Sequence, residues 1–109
     1  MPINYKILGQ SNPAASTPTL LYTVPVSTQA VVSSIVVTNL ASTTAVFNLS
    51  LQKAGASLTP SQYVAYGTSI PGNDSITYAI GITLGNTDTI TVSANTSTVT
   101  FSAFGSEIS

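Results

Sequence analysis

Residues 20–39 read LLYTVPVSTQAVVSSIVVTN, twenty residues without a charge. A membrane-spanning helix requires a run of about that length, but three features rule against a helix here. Pro25 stands inside the run and would break one. Thr23, Ser27, Thr28, Gln29, Ser33 and Ser34 interrupt the apolar surface. The apolar residues are mostly Val and Ile, which are stiff at χ1 and favour strands. Val24 is pushed to the extended region by the proline that follows it. The stretch predicts two strands, about 20–24 and 29–39, joined by a bend over 25–28.

Outward from there, apolar and polar residues alternate with period 2. In AVFNLSLQK (45–53), Ala45, Phe47, Leu49 and Leu51 share one face, and Val46, Asn48, Ser50 and Gln52 the other. In SITYAIGITL (75–84), Ile76, Tyr78, Ile80, Ile82 and Leu84 oppose Thr77, Ala79, Gly81 and Thr83. Ile90 and Val92 oppose Thr89, Thr91 and Ser93; Val99, Phe101 and Ala103 oppose Thr98, Thr100 and Ser102. Each reads as a half-buried antiparallel strand. Turns are marked at 41–44, at 53–57 with Gly55, at PGND (71–74), at GNTD (85–88) and at 95–97. Residues 59–62 read as a short helical turn or a loop before a strand at 63–66.

The expectation is an all-β chain of about seven to nine short strands. A single antiparallel β-sandwich fits this best, with jelly-roll and Ig-like connectivity both open. The core is expected to hold Val31, Ile35, Val37, Phe47, Leu49, Leu51, Ile76, Ile80, Ile82, Ile90, Val92 and Phe101. Residues 1–19 read as an N-terminal strand, with Tyr5, Lys6, Ile7 and Leu8 able to pair, followed by an extended arm containing Pro13 and Pro18. Residues 20–109 read as the sandwich domain. The arm is expected to reach a neighbouring molecule.

The 109 residues include only five charged ones: Lys6, Lys53, Asp74, Asp88 and Glu107. That is 5%, against about 25% in an average soluble domain. With a net charge of -1, attraction to nucleic acid or to an acidic membrane surface is excluded as a main activity. Arg, His, Cys and Trp are absent, so disulfides, thiolate chemistry and Cys-based metal sites are excluded too. The start, MPINYKILGQ, lacks a basic segment followed by a long apolar run, and no secretory signal is expected. Sequons begin at Asn48, Asn73 and Asn95, as chance allows in a chain with 33 Ser and Thr residues.

Catalytic chemistry has little to draw on. No His stands ready to activate a serine, and Lys6 and Lys53 read as solvated strand-end residues. Asp74 and Asp88 each begin a strand, and the two strands are consecutive. Ten residues at about 3.3 Å each would hold them about 30 Å apart, whereas glycosidase carboxylates sit roughly 5–10 Å apart. The turns at Asn73-Asp74-Ser75 and Asn86-Thr87-Asp88 offer one carboxylate each, where a firm Ca²⁺ site uses several. Tyr5, Tyr22, Tyr63, Tyr66 and Tyr78 are read as core or rim residues; a sugar-stacking face is the alternative. No enzyme activity, metal or cofactor is expected. The outward strand positions are Thr, Ser, Asn and Ala, which pack against a neighbour without the cost of burying ions.

The order YKILGQSNPAAST (5–17), LYTVP (21–25), VVSSIVVTN (31–39), YVAYGTSIPGND (63–74), GITLGNTDTITV (81–92) and VTFSAFGSEI (99–108) resembles a group of small structural proteins of tailed bacteriophages, marine and cyanobacterial phages among them. The resemblance covers nearly the whole chain and rests on fold signatures, not catalytic motifs. It implies a virion component. Head decoration (cement) proteins of this size act on the capsid exterior, commonly as homotrimers clamping neighbouring subunits of the major capsid protein. A tail, neck, baseplate or fibre component, including a glycan- or receptor-binding module, is the alternative. Neither nucleic acid nor membrane is expected as a partner. Candidate assembly contacts are Pro2, Tyr5, Pro13, Pro18, Phe104, Glu107 and Ile108, from the arm and the C-terminal end.

Overall fold

The computed structural model describes residues 3–79 and 81–109. Its strands are β1 (Ile3–Ser11), β2 (Thr19–Thr23), β3 (Gln29–Asn39), β4 (Ala45–Gln52), β5 (Tyr63–Ile70), β6 (Ser75–Tyr78), β7 (Ile82–Leu84), β8 (Thr89–Ala94) and β9 (Val99–Ile108). Short 3-10 turns at Lys53–Gly55 and Pro60–Gln62 lie between β4 and β5. The uncharged run at 20–39 divides into β2 and β3 around Pro25. Among the described residues no helix is long and apolar enough to cross a membrane.

The strands form two antiparallel sheets. One has the order β1-β9-β3-β6, with β7 also paired to β3; the other has the order β2-β8-β4-β5. With β6 and β7 taken as one interrupted strand, the pairs nest. The first strand lies beside the last, the second beside the last but one, and β4–β5 is the innermost hairpin. Every link except β4–β5 crosses from one sheet to the other. This nested order is that of a jelly roll and settles the connectivity that strand spacing left open.

The inner faces meet in a core whose fully buried side chains include Phe47, Phe101, Ile35, Leu49, Ile70, Ile90 and Val99. Phe47 and Phe101 pack edge to face at 5.9 Å and 70°, and Tyr78 closes on Phe47 at 6.3 Å and 75°. Of the expected core residues, Ile35, Val37, Phe47, Leu49, Ile82, Ile90, Val92 and Phe101 are buried, and Leu51 and Ile76 pack against them half-buried. Ile80 lies outside the described residues.

Val31 is a correction. It is half-buried on the outer side of its sheet, while its neighbours Ala30 and Val32 are in the core. A β-bulge between Val32 and Ser34 inserts one residue against β9 and reverses the alternation. The Ser33 hydroxyl at the bulge donates to the Phe104 carbonyl at 3.1 Å. The single strand expected over 75–84 is likewise two. Val32 pairs with Ile82 and Ile35 with Tyr78, so the edge takes one more residue than β3, and Gly81 turns there with φ +63°.

Residues expected as an arm lie against the sandwich. β1 is paired with β9 along its length, Pro13 is buried, and the Ser16 N–H donates to the Ala94 carbonyl at 2.7 Å. A reach to a neighbour would require β1 to be unzipped first.

The outer face of the second sheet is partly roofed by the 53–62 segment. Gln52 points outward, as alternation requires, yet is only 3% exposed. Its amide nitrogen donates to Ser50 Oγ (2.8 Å) and to Gln62 Oε1 (3.3 Å). Its amide oxygen accepts from Thr89 Oγ1 (3.1 Å) and Thr91 Oγ1 (2.7 Å). Gln62 in turn holds the Thr59 N–H and the Ser57 carbonyl, so one buried amide fastens the roof to three strand residues.

Candidate assembly surface

The seven expected contact residues divide by burial. Pro2 lies outside the described residues. Tyr5 is 82% exposed, Pro18 is exposed, and Phe104 and Ile108 are half-buried. Pro13 and Glu107 are buried and offer little surface in the isolated chain.

Three of the seven come together on the outer face of the β1-β9-β3 sheet. The register sets Ile3 opposite Ile108, Tyr5 opposite Ser106 and Ile7 opposite Phe104; Ser106 also faces Val31 of β3. Outward positions therefore carry Ile3, Tyr5, Ile7, Phe104, Ile108 and Val31 in one area without a charged head group of its own. Ile3 is 51% and Ile7 54% exposed. A shallow depression of about 450 Å³ marks its middle, lined by Tyr5, Val31 and Phe104 and also by Lys6, Ser33 and Ser106. Of these six, Tyr5, Phe104 and Ile108 are among the expected contact residues, and Ile3, Ile7 and Val31 are not. The alternation at 3, 5 and 7 was a usable signal; that of Val31 was hidden by the bulge.

Glu107 follows from the same alternation. Val99, Phe101 and Ala103 point inward on β9, and after Gly105 so does Glu107. A carboxylate in that position needs partners. The Tyr22 hydroxyl from β2 donates to Oε2, and Lys6 Nζ from β1 lies 2.7 Å from Oε1. The Lys6 ammonium, with the Tyr22 hydroxyl second, holds the Glu107 carboxyl below its ordinary value against the opposing effect of burial. Burial first, and then the bond to Glu107 and its charge, pushes the Tyr22 phenol well up. The group ties β1, β9 and β2 together at one end of the sandwich and neutralises two of the five charges.

The remaining carboxylates serve their own turns. Asp88 accepts the Ala54 and Gly85 N–H groups, both at 2.8 Å, and Asp74 accepts that of Ser75 at 2.8 Å. Among the described residues no group of three His, Cys, Asp or Glu side chains comes together.

The tyrosines separate. Tyr22 and Tyr78 belong to the interior, and Tyr5 to the outer face just described. Tyr63 and Tyr66 stack edge to face on β5, at 4.7 Å and 71°. With Leu58, Thr59 and Pro60 they line an open cleft of about 400 Å³. No protein-family model matches the chain, and comparison with curated proteins and with solved structures finds no match for it either.

Proposed function

We propose that this chain is a non-enzymatic structural subunit of a tailed-phage virion, most specifically a head decoration protein. On this reading it sits on the capsid exterior and stabilises the major capsid protein lattice by burying surface against it. The observation that carries the reading is the apolar outer face of the first sheet, beside an ion pair that neutralises its own charges. Such a face can be covered by a neighbour without stripping water from ions. A stable contact there would bury on the order of 1,000 Å² or more. The sequence resemblance to small phage structural proteins supplies the particle. Copy number in purified virions, measured by quantitative mass spectrometry against the major capsid protein, tests it. A ratio near one to one, or near one per three capsid subunits, is expected. A ratio of a few per cent would move the protein to the tail, neck or baseplate.

A second reading, a glycan-binding module at a fibre tip, is favoured by one feature, the Tyr63–Tyr66 pair beside its cleft. Exposed aromatic rings stack on the apolar faces of sugars. Glycan-array binding lost in Tyr66→Ala would support this reading, and a blank array would remove it.

A further inference from the structure

Two open sheets have four edges, and unpaired edges invite other strands. Three are blunted here. β2 has five residues and slips register against β8 between Leu20 and Tyr22. β5 slips register twice against β4. The β6/β7 edge is broken around Gly81. β1 is different. From Gly9 onward β2 closes on it, since a Cβ at Gly9 would run into the Leu21 carbonyl. Residues 3–7 pair with β9 without irregularity and stand at the open end. A lysine there would ordinarily guard the edge, but Lys6 is drawn to Glu107.

The exposed edge is also self-matching. Its outward residues read Ile3, Tyr5, Ile7, the same in both directions from Tyr5. A closed two-fold contact requires a surface complementary to itself, with residue i meeting j and j meeting i. Antiparallel pairing of two copies about Tyr5 sets Ile3 against Ile7 of the second copy and Tyr5 against its own equivalent. Lys6 then faces Asn4 of the second copy, so the two lysines do not oppose each other. A strand of another protein could use the same hydrogen-bonding groups, but it would gain nothing from the palindrome.

We propose that β1 pairs with β1 of a second copy, joining the two first sheets into one continuous sheet across a two-fold axis. The six apolar side chains then form one strip, which doubles the width of the outer face available to a larger partner. This competes with the trimer implied by the resemblance. It stands on the edge geometry and not on the virion reading. A dimer would survive absence from particles, and a monomer would leave a copy-number result intact.

Five residues per strand place the contact at or below the roughly 1,200 Å² lower limit of standard interfaces, so association is expected at tens of micromolar, on the order of weak transient complexes. Sedimentation velocity of the full chain across that range should show a monomer–dimer equilibrium. Tyr5→Lys puts like charges face to face on the axis and should weaken it at least tenfold. Leu20→Lys, at an exposed position of the β2 edge, should not change it. The chain has no cysteine, so Tyr5→Cys gives a clean second readout. Mild oxidation should yield a covalent dimer with unchanged circular dichroism, which Leu20→Cys should not form. A monomer throughout, a trimer, a dimer indifferent to Tyr5→Lys, or equal cross-linking of both cysteine variants would each overturn the proposal.

Discussion

Replacing Gln52 by leucine tests whether a buried amide, and not apolar packing, holds the roof over the second sheet. The two side chains have similar volume, so the change removes hydrogen bonds with little change in shape. Gln52 makes four bonds to Ser50, Gln62, Thr89 and Thr91. At about 1 kcal/mol each they contribute about 4 kcal/mol. Burying the leucine returns about 2 kcal/mol, and the net loss is about 2 kcal/mol. For a chain of this size that should lower the urea midpoint by about 1–2 M. Unfolding would be followed by circular dichroism and tyrosine fluorescence, which is readable because the chain has no tryptophan. Amide exchange at 53–62 should speed up in the variant while the core strands stay protected. A loss below about 0.5 kcal/mol with unchanged exchange would refute the reasoning. It would mean that the segment is held by its own turns.

Three further outcomes are expected. Glu107→Gln should cost about 1–2 kcal/mol at neutral pH, because Tyr22 keeps an acceptor and half-exposed Lys6 is already screened by water. Since the native carboxyl lies below its ordinary value, its contribution is present above about pH 4.3 and is lost as pH falls through the native value. Urea midpoints of wild type and variant should therefore converge in acid, and a constant gap down to pH 2 would contradict the assignment. Phe101→Ala removes one partner of the Phe47 pair and should cost about 3–5 kcal/mol, read as a large fall in Tm; a fully stable variant would mean the core is drawn wrongly. Gly105→Ala would drive a Cβ into the Val31 carbonyl beside the bulge and should cost about 1–3 kcal/mol in chemical denaturation, whereas a neutral result would show that the bulge relaxes freely.

The strands were legible in the sequence where one rule governs them. Alternation of apolar with polar residues placed β4, β8 and β9, the Val and Ile content placed β3, and Pro25 with the PGND and GNTD turns placed the breaks between elements. Bulges were not legible. VVSSIVV alternates poorly in either frame, and only the β9 partner fixes Ser33 as the extra residue. Residue-level burial failed for polar groups. Glu107 reads as a candidate assembly contact until Tyr22 and Lys6, remote in sequence, close on it. Gln52 reads as an exposed outward residue until the 53–62 segment folds over it. The apolar outer face was half visible, because Ile3, Tyr5 and Ile7 alternate plainly but only a paired β9 shows that they share a surface with Phe104 and Ile108.

The nested order has a consequence for how the molecule is made. Ile3 lies opposite Ile108, so β1 leaves the ribosome about 100 residues before the strand it pairs with and must wait for it. Until then its neighbours are apolar β segments with few charges to keep growing chains apart. At about 5–20 residues per second, that wait lasts about 5–20 s. Slower, cooler expression should raise the soluble yield by thinning the crowd of unfinished chains. A circular permutant that joins β9 to β1 and opens in the 53–62 segment would make the pair a local hairpin and should fold faster.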